Sequence, residues 1–202
     1  MKKQISSGAE AVIYLENDKV IKERISKGYR HKELDKSIIK KRTKSETKLL
    51  TEASEIVNVP LPEKQKEVDK IIMPFIDGQK LSTSLNKFEQ KKQEEIMFEL
   101  GKSIAKLHEK GIIHGDLTTS NMILKDKKIF LIDFGLGYFN GKYEDKGVDI
   151  HLLKQALEAK HFENWQTLFK EFEIGYRSIN PKEAEKVFDK MKAIEKRGRY
   201  KH

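Results

Sequence analysis

Near the start of the chain, apolar residues come in short runs; further on they recur at helical spacing. Ala11 to Leu15 and Val20 to Ile25 are brief apolar segments separated by Glu16-Asn17-Asp18-Lys19. That pattern predicts two strands joined by a tight turn with Asn-Asp at its centre. Ser6-Ser7-Gly8, just before them, reads as a glycine-containing bend. From Tyr29 to Ser54 the pattern is helical and very basic, with Leu34, Ile38, Ile39, Leu49 and Leu50 as its apolar members. Val57-Asn58-Val59-Pro60-Leu61-Pro62 has to leave the helix, because the residue before a proline is biased to extended geometry. Val68 to Phe75 predicts another strand and Asp77-Gly78 a turn.

Lys91 to Lys110 is the clearest helix. Ile96, Leu100, Ile104 and Leu107 form one apolar stripe, and Gly111 follows where a C-terminal cap would sit. Met122 to Leu124 and Ile129 to Ile132 predict short strands around a hairpin-like turn, Lys125-Asp126-Lys127-Lys128. After Asp149 the pattern is helical again, with Leu152, Leu153, Ala156 and Leu157 on one face. A second helical stretch runs from Glu163 to Ile174, and a third starts after Asn180-Pro181. Trp165 and the Phe162, Leu168, Phe169, Phe172 stripe read as core. The basic tail, 196–202, reads as extended or mobile. The order describes an α+β chain: a small β-rich N-terminal lobe with one main helix to about residue 73, a hinge over 73–78, and a helical C-terminal lobe to about 195.

Composition narrows the function classes. A chain of 202 residues is one large domain or two small lobes, and is long enough to bury a real core. Charged residues make up 36% and apolar residues 37%; the apolar ones are patterned, which favours a folded protein with a very polar surface. There is no cysteine, so disulfides, thiolate metal sites and a cysteine nucleophile are excluded. No apolar run approaches the roughly 20 residues of a membrane helix, and Met1 to Glu10 lacks the apolar core of a signal peptide. A cytoplasmic protein is expected. The net charge of +9 fits a polyanionic partner or a lysine-rich solubilising surface.

The chemistry centres on His114-Gly115-Asp116-Leu117-Thr118-Thr119-Ser120-Asn121, followed by Ile132-Asp133-Phe134-Gly135. Asp116 follows a helix end and a glycine bend, so it projects from a loop. Asn121 returns to the same place, and Asp133 emerges from a strand into a bend. Two carboxylates and a carboxamide on one pocket are hard oxygen donors suited to Mg²⁺ with phosphate oxygens. Phosphoryl transfer needs that set: one carboxylate orients the nucleophile, and another holds the metal that bridges the phosphates.

These elements resemble the protein-kinase catalytic loop and its metal-binding Asp-Phe-Gly element. The resemblance implies ATP and Mg²⁺ as cofactors, Asp116 as catalytic base, and Asn121 and Asp133 as metal ligands. It also puts Ser7, Gly8 and Ala9 in the loop that covers the phosphates. Lys22 becomes the strand lysine that pairs with them. The partner of Lys22 is expected to be Glu46, with Glu33 and Glu52 as competitors that helical phase does not exclude. Met73 to Ile76 would form the hinge, the Pro74 carbonyl and Ile76 amide meeting the adenine edge. His114 reads as a packed structural residue of the loop.

The chain departs from ordinary protein kinases. Gly115 replaces the arginine that reads a phosphorylated activation loop, and Asp133 to Asp149 is short, with no Ala-Pro-Glu element. The activation segment is truncated, and control by its phosphorylation is not expected. The departures are themselves similar to the small atypical, RIO-like kinase of the KEOPS complex. That resemblance rests on Ser7-Gly8-Ala9-Glu10-Ala11, Lys27-Gly28-Tyr29-Arg30-His31 with Leu34-Asp35, Arg42-Thr43 leading to Glu46, and the Leu117-Thr118-Thr119-Ser120-Asn121 run. It extends through Glu144-Asp145-Lys146 with Val148-Asp149 to Arg197-Gly198-Arg199. Gly147, where the family pattern suggests alanine, should slightly loosen the next helix.

The resemblance implies a subunit that partners the threonylcarbamoyl-transferase of KEOPS. That complex makes threonylcarbamoyladenosine in tRNAs reading codons that start with A. The implied activity is ATP hydrolysis, or serine/threonine phosphorylation; a non-catalytic ATP-binding assembly module and a free RIO-like kinase are the alternatives. Lys196, Arg197, Arg199 and Lys201 would bind tRNA phosphates, or form a solvated end. Lys40-Lys41-Arg42 and Lys44 would extend that surface, or form a solvated helix face.

Overall fold

The computed structural model describes residues 2–64 and 67–199, the side chains of 198 and 199 excepted. Its first part is an antiparallel sheet of β1 (Lys3–Ser7), β2 (Ala11–Glu16), β3 (Lys19–Arg24) and β4 (Lys70–Pro74) in that spatial order, with α1 (Lys32–Ser54) between β3 and β4. A second antiparallel sheet holds β5 (Gln79–Lys80), β6 (Met122–Lys125) and β7 (Lys128–Leu131). The rest is helical: α2 (Leu81–Ser84), α3 (Gln90–Glu109), α4 (Tyr143–Lys160), α5 (Trp165–Arg177) and α6 (Pro181–Arg199). The bilobal α+β arrangement expected from the sequence is present.

Local chemistry explains the hairpins. Asn17 and Asp18 both have positive φ (48° and 58°), the geometry of a two-residue turn whose twist matches its strands. Asp126 and Lys127 repeat it between β6 and β7 (47° and 62°). α3 buries Ile96, Leu100, Ile104 and Leu107 and stops as its sequence suggests. Gly111 adopts φ 70°, its N–H bonds to the His108 carbonyl, and Ile112 N–H bonds to that of Leu107, closing a Schellman cap.

Four expectations need correction. The tail over 196–199 is not extended, because α6 continues to Arg199. Ala184, Val187, Phe188 and Met191 bury one face of α6, and Glu195 pairs with Lys154 at 2.7 Å while Arg197 pairs with Glu144 at 2.7 Å. α4 begins at Tyr143 rather than after Asp149; Asp145 accepts the Lys142 N–H at 2.7 Å, and two acids occupy the first turn, which suits a helix N-terminus. Gly147 does not loosen α4 but lets α6 approach: a Cβ there would lie 3.0 Å from the Met191 nitrogen. Phe162 lies outside the core, 69% exposed, in the link between α4 and α5.

The core runs through the helical part and takes in Leu49, Leu50 and Ala53 of α1, so α1 packs on both halves of the molecule. α3 and α5 cross at a pair of glycines. A Cβ on Gly101 would lie 2.1 Å from the Phe172 carbonyl oxygen, and one on Gly175 would lie 2.0 Å from that of Phe98. Gly→Ala on an exposed helix surface stabilises by about 1 kcal/mol. Gly175→Ala should instead destabilise by about 1–3 kcal/mol, because two backbones must separate. Urea unfolding checks this, and a gain in stability would contradict the close crossing.

Candidate functional site

Lys22 lies on β3 across from Ile71 of β4 and is buried. Its ammonium sits 2.6 Å from Glu46 Oε1 and 2.7 Å from Asp133 Oδ1. Glu46 is therefore the α1 glutamate that meets Lys22; Glu33 and Glu52 are exposed. The other Glu46 oxygen takes Arg24 Nη2 at 2.5 Å. Arg24 follows Lys22 by two strand positions and so shares its face. That alternation was the available signal for a residue the sequence reading missed.

Asp133 turns out of the strand ladder with φ 63° and accepts the Gly135 N–H at 3.1 Å. A Cβ on Gly135 would lie 2.9 Å from Asp133 Oδ1, so a side chain there would press on that carboxylate. Burial opposes charge on the Asp133 carboxyl, yet the Lys22 ammonium prevails and holds its pKa below the usual carboxylate range.

Asp116 and Asn121 meet as their spacing suggests. The Asn121 amide donates to Asp116 Oδ2 at 2.8 Å and to the Asp116 carbonyl at 3.0 Å. Its side-chain carbonyl oxygen remains an acceptor. His114 is buried beneath the loop, with Nε2 3.1 Å from the Ile132 carbonyl and Nδ1 accepting the Asp116 N–H at 3.3 Å. These partners assign a neutral ring protonated at Nε2. Burial lowers its pKa accordingly.

Asp149 is the anchor that the sequence reading did not assign. Buried on α4, it accepts the backbone N–H of His114 at 2.7 Å and of Gly115 at 2.8 Å. His108 Nε2 lies 3.4 Å away, with its Nδ1 on the Tyr176 hydroxyl at 2.9 Å. Gly115 has φ 80°, and a Cβ there would fall 2.3 Å from the Leu136 carbonyl oxygen. An arginine at this position is thus excluded by the segment lying across it.

Two connected chambers result. The inner one, of about 370 Å³, is lined by Ile13, Val20, Met73, Pro74 and Ile76 at its apolar end and by Lys22, Glu46, Asn121 and Asp133 at its polar end. The outer groove, of about 290 Å³, adds Gly8, Ala9, Glu10, Arg24, Arg42 and Asp116. Ser6 lines both, and Ser7 lines neither, because Ser7 is the alternate residue of β1 and pairs with Val12. Arg42 thus faces the site and is part-buried, whereas Lys40, Lys41 and Lys44 of that basic run are exposed. Lys196 and Arg197 are exposed on α6 and line neither chamber. The Arg199 side chain and Lys201 lie outside the described residues.

The donor chemistry fits a nucleotide and a hard cation. A slot with apolar walls ends at an ammonium, and beside it stand one carboxylate, Asp133, and one free carboxamide oxygen, Asn121. The RIO-domain family matches residues 12–136, which makes this a kinase-like protein of the RIO class. The KEOPS complex subunit Bud32 of Pyrococcus abyssi is 41% identical over 98% of this chain and 96% of its own length. A probable serine/threonine-protein kinase BUD32 homolog of Archaeoglobus fulgidus is 40% identical over 96% of this chain and 94% of its own. A probable bifunctional tRNA threonylcarbamoyladenosine biosynthesis protein of Methanosarcina mazei is 40% identical over 97% of this chain, which spans 35% of it. The chain belongs to the Bud32 family of RIO-domain proteins.

Burial works against the charge of Asp149, but the hydrogen bonds from His108 and the His114 backbone outweigh it, and its pKa is depressed. A depressed carboxyl contributes stability that is present above its unfolded pKa, about 4, and lost as pH falls through the folded value. Asp149→Asn should therefore cost about 3 kcal/mol at pH 7. The gap from wild type should shrink in urea unfolding as the pH is lowered below about 4. A gap that is absent at pH 7, or constant across pH, would contradict the clamp.

Proposed function

We propose that residues 1–202 form one kinase-like domain that binds ATP and Mg²⁺ and acts as an ATPase or serine/threonine kinase within a KEOPS complex. There it would support threonylcarbamoyladenosine formation in tRNAs reading codons that begin with A. The observation that carries the reading is the meeting of Lys22, Glu46, Asp133 and the Asp116–Asn121 pair, drawn from four separate segments, around one cleft. The near full-length likeness to a protein named as a KEOPS subunit supports the complex. The likeness to bifunctional threonylcarbamoyladenosine biosynthesis proteins supports the tRNA product and the transferase partner. Among the described residues no helix is long and apolar enough to cross a membrane, and the reading puts the protein in the cytoplasm with tRNA.

Each residue has a part in this reading. The apolar slot takes the adenine, with the Pro74 carbonyl and the Ile76 amide at its edge. Lys22, held by Glu46, meets the phosphates, and Gly8 and Ala9 approach them from above by their backbone. Asp133 and the Asn121 oxygen would hold the cation, which would supply positive charge to the phosphates. Asp116, aimed by the Asn121 amide, orients the attacking hydroxyl or water and accepts its proton. Lys196, Arg197, Arg199 and Lys201 would serve as salt-sensitive contacts to tRNA phosphates.

A second reading, an ATP-binding assembly module without turnover, is favoured by one observation. The segment after Asp133 is tied back at once: Tyr138 pairs with Ile113, and Gly141 N–H bonds to the Gly111 carbonyl. That leaves little platform for a peptide substrate. Phosphate release by the purified chain, with and without transferase and tRNA, separates the readings. Asp133→Ala should lower release by about 100-fold or more while the complex still assembles. Turnover unchanged by the substitution would overturn the site, and release absent in the wild-type complex that still modifies tRNA would favour the module.

A further inference from the structure

The outer groove holds more positive charge than these roles use. Lys22 and Asp133 line both chambers, whereas Arg24, Arg42 and Asp116 line only the outer one. Arg24 is almost wholly buried, and its Nε has no hydrogen-bond partner among the described residues. Its Nη2 is fixed on Glu46, so it supplies a stationary charge. Arg42 differs. It lies one turn before Glu46 on α1, its side chain is 39% exposed, and it is held at 2.5 Å by Glu10, itself 47% exposed. A guanidinium carries five N–H donors in a fork suited to phosphate, and the Glu10 contact uses the Nη1 end.

Glu10 belongs to the turn after Gly8, which is fastened independently of its carboxylate. Gly8 N–H bonds to the Ala11 carbonyl, Ile25 N–H to the Glu10 carbonyl, and the Lys27 ammonium to the Ala9 carbonyl. Arg42 can therefore exchange the Glu10 carboxylate for another anion without releasing the turn. The order of the chambers says which anion. With the base in the apolar slot and Lys22 at the boundary, the phosphate farthest from the base is the one that would reach the groove that Arg42 lines.

We propose that Arg42 recognises the terminal phosphoryl group of the nucleoside triphosphate, with Glu10 as the internal anion that it replaces. This rests on the ATP reading above. Arg42 then sets the preference for triphosphate over diphosphate, with Lys22 serving both nucleotides alike.

Calorimetric titration of the full chain with Mg²⁺-ADP and with a non-hydrolysable Mg²⁺-ATP analogue tests it. Wild type should prefer the triphosphate. Arg42→Ala should lose about tenfold of that preference, about 1.4 kcal/mol, with ADP affinity kept, since a charge-assisted hydrogen bond to the third phosphate is removed. Arg42→Lys should fall between, and Glu10→Gln should raise the preference by freeing Arg42. The inference is overturned if these variants, folded by circular dichroism, change both affinities by the same factor or change neither. Arg42→Lys and Glu10→Gln carry the test should Arg42→Ala not fold. Wild type that binds neither nucleotide would sink the ATP reading, and this inference with it.

Discussion

The structure depends on one ammonium group. Lys22 stands between Glu46 and Asp133, joining β3, α1 and the strand end before Phe134 in a single ion cluster. These residues are 24 and 111 positions from Lys22 in sequence. Taking such charges out of water is costly, and a well-packed apolar replacement is often as stable. The cluster is better understood as fixing geometry: it sets α1 against the sheet and aims the Asp133 carboxylate. Arg24 on the second Glu46 oxygen removes the remaining freedom of that carboxylate.

A second clamp, Asp149, does for the catalytic loop what Glu46 does for Lys22. It takes the N–H groups of His114 and Gly115, while neutral His114 braces the strand carbonyl before Asp133. Asp116 and Asp133 are thus held by one hydrogen-bonded frame. In an ordinary kinase, an arginine beside the catalytic aspartate would connect this frame to a phosphorylated loop. Here the Leu136 carbonyl occupies that space against Gly115. The site is built in place by α4 and the short segment itself.

Much of this was legible in the sequence. The Asn-Asp turn, the α3 stripe and the spacing of Asp116, Asn121 and Asp133 are local signals, and local chemistry decided them. Glu46 was separable from Glu33 and Glu52 by helical phase as well as by the motif: it lies three and four positions before Leu49 and Leu50 and shares their buried face, whereas the other two fall on the exposed side. What stayed hidden depends on long-range approach. Gly147 looked like a weak helix residue until Met191 was seen against it. The end of α6 looked like a loose basic tail, because the residues that hold it, Lys154 and Glu144, are far away in sequence. Ser6 and Ser7 differ only in strand phase, and a register shift in β1 between Gln4 and Ser6 obscures that phase. Arg42 looked like one more cation in a basic run, and its partner Glu10 is 32 residues away.

The central claim is that Glu46 acts through Lys22. A double-mutant cycle on Mg²⁺-ATP affinity, with Lys22→Met, Glu46→Gln and the pair, tests it directly. Glu46→Gln should weaken binding in the wild-type background and have almost no further effect once Lys22 is Met, a coupling of about 1 kcal/mol or more. Equal losses in both backgrounds would show that the two side chains act independently and would contradict the account.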